Sequence, residues 1–354
     1  MTASTAAVAS APPEVLHVLR RHRLSPVLVV GAVAAAYVAG LVVDDYWFNA
    51  ILIPFLIMAL AGLGLNLLTG YTGQASLGTG AFMAVGAYAT YNVLLRVPEL
   101  PLPVSLVLGG LFAAAAGVVF GLPSLRIKGF YLTASTLAAQ FFLPWLFNQY
   151  GWFSNHTTSG SISAPRLAFL GYDLSTPLGR YVLTLTCVVA LTWVAWNLVT
   201  SQVGRNWMAI RDMDTAAAVA GIPIAFNKLA AFAISSFVIG IAGALWAFAY
   251  LGTVDSRSFD LDRSFTVLFI IIIGGMGSIA GAFVGSAFVI LLPILLSNLA
   301  GTLPSGLIDA GQLENLQKIL FGALIVFLLI KEPSGIVSLV TRFRRRLSQW
   351  PLKG

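Results

Sequence analysis

The sequence predicts an all-α polytopic bundle of transmembrane helices, about nine or ten membrane segments, with broken or re-entrant helices and an internal repeat. Three observations predict it. Apolar residues make up 58% of the 354-residue chain and charged residues 9%, against about 25% charged in a soluble domain. The stretches Tyr46 to Leu95 and Ser264 to Ile308 hold no Asp, Glu, Lys or Arg, and each suffices for two crossings at about 20 residues per helix. Glycine-rich polar runs then interrupt the apolar sequence near residues 70–80 and 274–281. So few charges cannot clothe a globular surface, which excludes an ordinary cytosolic enzyme and a disordered chain. The single cysteine, Cys187, permits no internal disulfide. A net charge of +7 in such a chain reports topology rather than nucleic-acid binding.

Breaks at Pro, Gly and polar clusters set hydrophobic segments at 26–43, 47–68, 79–95, 104–122, 130–150, 181–199, 229–251, 265–276, 281–299 and 316–330. Residues 1–25 are rich in Ala, Ser and Pro and end in a basic cluster. The run that follows is long enough to span, so it reads as an uncleaved first helix rather than a signal peptide. The eighth segment is short for a full span, and the glycine break after it reads as a re-entrant turn. Starting inside and alternating puts fourteen basic residues inside and six outside, with inside clusters around Arg20, Arg126, Arg205 and Arg342. The positive-inside bias therefore places both termini in the cytoplasm, including a basic tail at 332–354. The Asn155-His156-Thr157 sequon lies in an outside loop and is short enough to arise by chance.

The membrane interior is informative for what it lacks. Ionisable side chains at that depth are costly and usually functional, yet none sits deep in an assigned span; Lys318 lies at a span end where it can snorkel. A proton-coupled carrier lacks its relay. The histidines are His17, His22 and His156, and no His-Glu-x-x-His occurs, so neither an intramembrane metalloenzyme nor a serine hydrolase has its groups. The amides Asn66, Asn92, Gln140, Asn148 and Asn197 read as interhelical hydrogen-bonding groups. Gly-Lys never occurs, so there is no ordinary phosphate loop. Uphill transport would need another polypeptide for its energy, and the chain itself reads as no enzyme and as carrying no cofactor.

Three segments carry the rest. In Leu65 to Phe82, glycines at 70, 73, 78 and 80 alternate with Thr, Gln and Ser. Irregular backbone at membrane depth is tolerated where it is buried in protein or faces water, and its free N–H and C=O groups can meet a polar solute. Tyr71, Thr72, Gly73, Gln74 and Ser76 are therefore candidates to line a path; a glycine packing seam is the competing reading. The second break, Gly274-Gly275-Met276-Gly277-Ser278, adds Gly274, Gly275, Gly277 and Ser278 to those candidates. Each break is followed by Gly-Ala-Phe, at 80–82 and at 281–283, which an internal repeat or chance similarity between glycine-rich helices would explain. The third segment, Ser201 to Pro223, is the longest inside loop. There Asp214 reads as an N-cap, 215–220 as a short helix and Gly221 as its stop. A two-turn helix cannot stand alone in water and needs a surface, either the bundle's underside or a second protein.

These segments resemble the membrane subunits of branched-chain amino-acid ABC importers, the LivH/LivM family, and among them the LivM-like subunits. Gly70-Tyr71-Thr72-Gly73-Gln74-Ala75-Ser76-Leu77-Gly78 is similar to the family signature, and Arg126 to Leu132, Ile273 to Ser278 and Glu332-Pro333-Ser334-Gly335 also match. Gly204 to Gly221 resembles its ATPase-coupling loop, within 200–227. Agreement runs over roughly residues 45–340. The resemblance implies a permease domain at 26–331 in a bacterial inner membrane. It implies coupling residues Gly204, Arg205, Arg211, Asp212, Asp214, Ala217 and Gly221. Its implied partners are a second permease subunit, a paralogue, together with cytoplasmic ATP-binding subunits, an extracytoplasmic solute-binding protein and membrane lipid. Three departures stand out. Thr79 occupies a position where the family often has His, and Ala218 one where it often has Glu. The outside loop 151–177 lacks the expected glycine-rich pattern. The same machine carrying urea, short amides or another small polar solute is the alternative, and a stand-alone channel is the third reading.

Overall fold

The computed structural model describes residues 44–125, 130–157, 162–164, 168–169 and 172–301, with isolated positions at 37, 315, 319–320, 322–323, 326–327, 330 and 335–337. The chain divides into residues 1–43, of which only the helical Tyr37 is described, and residues 44–354, which form the bundle. The first predicted segment, 26–43, and most of the last, 316–330, lie outside the described residues, as do Arg126, Lys128 and nearly all of the C-terminal tail.

Each of the other predicted segments coincides with a helix. Helix α1 spans Asp45–Thr72 with a π-turn at Phe48–Leu52; α2 is Thr79–Arg96, α3 Leu102–Gly121 and α4 Phe130–Gln149. Helix α5 is Pro177–Thr200, and the short α6 (Gln202–Asp212) and α7 (Asp214–Val219) follow. Helix α8 is Ile224–Leu251, ending in π geometry; α9 is Leu261–Gly274 and α10 Ile279–Gly301. Among the described residues four helices are long and apolar enough to cross a membrane, or five if the bent pair around Gly275 counts as one span. The chain is thus an all-α polytopic membrane bundle.

Helix α1 is apolar on every side, and 89% of its most hydrophobic window is buried, so it is the core on which the others pack. Helix α5 has only 22% of its most hydrophobic stretch buried and turns Trp193 outward, away from the rest of the bundle. Small residues set the approach of the inner helices. A side chain on Gly86 of α2 would run into the backbone of Gly240 in α8, and one on Gly243 into Met83. Ser235 on α8 donates to the Gly64 carbonyl of α1 at 2.7 Å, and Ser286 on α10 donates to Phe55 O at 2.8 Å. Much of the small-residue pattern after residue 80 is therefore packing.

The predicted amides bond between elements. Gln140 on α4 accepts from Ala81 N–H and from Ser264 Oγ, each at 2.8 Å, and donates to Phe259 O at 2.8 Å. Asn92 donates to Phe153 O at 3.2 Å, and Ser256 donates to Asn148 at 2.8 Å. Asn197 is the exception and is exposed. The α4–α5 connection contains short strands that composition did not signal. β1 (Ile162–Ser163) pairs antiparallel with β4 (Thr253–Val254), just past α8, and β2 (Ala168–Phe169) pairs with β3 (Tyr172–Asp173). Several helices begin before their predicted segments, taking in Arg180 and Lys228, and α9 begins at Leu261, so Asp262 and Arg263 lie in its first turn instead of a loop. Asp260 makes this possible by accepting the Arg263 N–H at 3.0 Å as N-cap.

Candidate functional site: two helix breaks beneath a surface helix

Helix α1 stops at Thr72 because Gly73 adopts the left-handed conformation, φ 72°, in which its N–H returns to Thr69 O. From Gly73 to Gly78 the backbone is irregular, and α2 starts at Thr79. The second break is built alike: α9 ends at Gly274, Gly275 and Gly277 take φ of 122° and 75°, and α10 starts at Ile279, turned by 118°. Only glycine tolerates these angles without strain, which is why both breaks are glycine-rich.

The two breaks, some 200 residues apart in sequence, meet. Asn66, six residues before the end of α1, donates to Ser278 O at 2.7 Å and accepts from Gly277 N–H at 2.8 Å. One amide thus satisfies two backbone groups that the kink leaves without helical partners. Gly70 faces the same spot, and any side chain there would overlap Asn66 and Gly277.

Arg211, the penultimate residue of α6, closes the arrangement. Its Nη1 donates to Gly70 O at 2.9 Å, and its guanidinium pairs with Asp212 at 2.9 Å. Its side chain also covers Gly73: a Cβ on that glycine would stand 3.0 Å from Arg211 Cγ. A Cβ on Gly277 would stand 3.3 Å from Arg211 Nη1. A cation therefore rests at the carbonyl end of α1, where the helix dipole favours it, and touches both breaks at once. Helix α6 is held in place by Trp207, fully buried, whose Nε1 donates to Asn227 O at 3.1 Å. Ser201 caps its start by accepting from Val203 N–H at 3.2 Å.

The predicted path residues divide by exposure. Tyr71, Thr72, Gln74, Ser76, Gly274 and Gly275 are buried in protein; Gly277 and Ser278 are half-buried and Gly73 is exposed. Gln74 turns inward, donating to Thr72 Oγ1 at 3.0 Å. The open surface along the breaks instead falls to Gly73, Ala75 and Met276, and the last two were missed because neither is polar. The alternation of exposed Gly73 and Ala75 with buried Gln74 and Ser76 is the period of an extended strand, a signal available in sequence.

The predicted coupling residues divide too. Gly204 and Ala217 are buried, Gly204 lying so close to Val199 that a side chain would strike its backbone. Arg205 is exposed and bonds to Gln202 and to Thr200 O within its own loop. The short helix α7 is present as expected, but its N-cap is Met213, with φ −159° and ψ 102°; Asp214 is its first residue. Gly221, φ 81°, terminates it, with Ile222 N–H returning to Ala217 O at 3.0 Å. Three large apolar side chains around α7 stand in solvent: Met213 at 62%, Val219 at 91% and Phe226 at 73% exposure. Such apolar exposure on a charged loop marks a surface made to be covered.

The family described as branched-chain amino acid transport system, permease component, matches residues 48–329. The chain is 31% identical over 321 residues to the high-affinity branched-chain amino acid transport permease LivM of Salmonella typhimurium, spanning 84% of this chain and 72% of that one. It is likewise 31% identical over 331 residues to the LivM permease of Escherichia coli, with the same shares covered. It is 22% identical over 303 residues to a probable branched-chain amino acid permease LivM of Methanocaldococcus jannaschii, covering 80% and 79%.

Proposed function

The chain belongs to the branched-chain amino acid transport permease family, and from that membership we propose that its two breaks gate a translocation path worked by an ATPase seated on α6 and α7. It is a multi-pass membrane protein and the permease subunit of an ABC importer for branched-chain amino acids, and it has no enzymatic step of its own. A solute-binding protein and ATP-binding subunits complete the machine, with a second permease, a paralogue, pairing beside this one.

One contact carries the coupling reading: Arg211 Nη1 on Gly70 O, 2.9 Å, which ties the surface helix to the carbonyl end of α1. Through Asn66 the same end is tied to the second break. A displacement of α7 by a partner pulls on α6, and α6 has no way to move without carrying Arg211 away from both glycine turns. In this reading the face bearing α6 and α7 is cytoplasmic and both termini lie on that side, which the excess of basic residues there supports. Amides and backbone groups line the breaks, with the Arg211 guanidinium at their α6 side, and these suit a zwitterion that is selected by another protein.

Reconstitution tests this. With the partner permease, the ATP-binding subunits and the binding protein in proteoliposomes, uptake of radiolabelled leucine requires ATP and stops without the ATP-binding subunits. Full-rate flux through the chain without ATP would make it a channel and overturn the reading.

A further inference from the structure

At the end of α1 away from Arg211, a cleft of about 430 Å³ opens between α1, α8, α9 and α10. Pro54, which lines it, precedes Gly70 by 16 residues, about 24 Å along a helix at about 1.5 Å per residue. Pro54, Ile290, Pro293 and Ile294 give the cleft an aliphatic wall; Trp246 and Tyr250, with ring centroids 4.5 Å apart, give it an aromatic one. Its volume falls in the ordinary range for small-molecule sites.

A single cation enters this apolar lining. Arg263 lies with its guanidinium carbon 4.2 Å from the centre of the Trp246 ring, and its Nε makes one long bond, 3.4 Å, to Ser258 O. Among the described residues no carboxylate forms an ion pair with it, and its Nη1 and Nη2 have no hydrogen-bond acceptor. Trp246 is buried, 4% exposed, and its indole Nε1 also lacks a partner. Donors left unmet in an apolar setting are costly, and a cation there more so. The lining offers the Arg263 guanidinium beside aliphatic walls, so its complement has negatively charged acceptor oxygens on an aliphatic body. A guanidinium binds a carboxylate with two parallel hydrogen bonds.

We propose that this cleft binds an aliphatic α-amino acid, with Arg263 taking the carboxylate and the wall around Pro54, Ile290 and Pro293 taking the side chain. The inference rests on the importer reading above and adds a reception site to it. Solute arriving at the face opposite α6 and α7 meets Arg263 before it reaches the breaks. The carboxylate or phosphate of a lipid would present similar oxygens, and the test separates the two.

The assembled transporter, without binding protein, is placed in phosphatidylcholine nanodiscs and titrated with radiolabelled leucine. Binding is saturable, weakens about tenfold or more in Arg263→Gln, survives in part in Arg263→Lys, and is lost in Ile290→Trp, which fills the cleft. Leucinol, lacking the carboxylate, does not compete. If Arg263→Gln fails to assemble, Ile290→Trp and the leucinol competition carry the same test. Competition by leucinol equal to that by leucine overturns the proposal. So does leucine binding that ignores both substitutions. An Arg263-dependent retention of phosphatidylglycerol or oleate, with no leucine bound, also overturns it and makes the cleft a lipid site. ATP-driven uptake is read on the same preparations. Uptake that persists while leucine binding ignores Arg263 refutes the site alone, whereas a wild-type complex with no ATP-driven uptake refutes the importer reading beneath it.

Discussion

Asn66 and Arg211 hold the two breaks against each other, and they do so differently. Asn66 is fully buried and meets Gly277 N–H and Ser278 O with the two ends of one amide. Asn66→Ala leaves both backbone groups without their partner, a loss of about 1–3 kcal/mol. Thermal unfolding of the purified variant should show a lower midpoint, and an unchanged midpoint would mean water replaces the amide at no cost. Arg211 is partly exposed, so its contact with Gly70 O adds little to stability, and under the proposed coupling it acts on motion instead. In the assembled transporter Arg211→Gln should keep ATP hydrolysis while leucine uptake falls about tenfold. Arg211→Lys should lie between, because an ammonium reaches the carbonyl but lacks the fork that also covers Gly73 and Gly277. Hydrolysis and uptake falling in parallel would assign Arg211 to the ATPase surface instead.

At the scale of elements, α7 is the piece that has no stability of its own. Two turns do not hold in water. It is fastened by the buried Ala217 beneath it and by Gly221, whose positive φ ends it cleanly. Gly221→Val strains that turn, with nothing nearby to clash, so the expected effect is about 1–2 kcal/mol on the loop. It should be read as reduced coupled uptake at normal membrane abundance. Val219→Asp and Phe226→Asp alter only exposed surface, and they should abolish co-purification of the ATP-binding subunits without affecting insertion. Retention of those subunits by both variants would place the dock elsewhere. Much of this was legible in the sequence, because glycine and polar clusters in an apolar chain have few other uses. Both breaks, α7 and its glycine stop stand where the residues predicted. The direction of Arg211 was not legible: from composition it is a surface charge, and only the tertiary approach of α6 to α1 turns it inward. Asp214 is a good cap by type, but Met213 takes the extended geometry and pushes Asp214 into the first turn. Arg263 looked like a loop charge because the apolar run begins after it, while the Asp260 cap starts the helix two residues earlier.

For the whole molecule, the described bundle is organised along α1. At one end lie Arg211, the two glycine turns and the exposed apolar side chains around α7; at the other lie the β1–β4 ladder and the Arg263 cleft. Among the described residues no ion pair spans the region between. The proposed path, moved from one end, needs nothing more from the interior than close packing and satisfied polar groups, and those are what α1, α2 and α8 provide. A reporter-enzyme fusion at the C-terminus should be active only as a cytoplasmic reporter; activity of a periplasmic reporter there would invert the orientation. The central claim is that nucleotide at the α7 end moves the breaks through Arg211. It is tested most directly by replacing Cys187, the chain's one cysteine, with serine and introducing Ala75→Cys on the exposed side of the first break. In the assembled transporter the rate of labelling at 75 by a water-soluble thiol reagent should differ about tenfold between the nucleotide-free and ATP-bound states. That difference should vanish when Arg211→Gln is added. Equal rates in the two states with Arg211 in place would contradict the account.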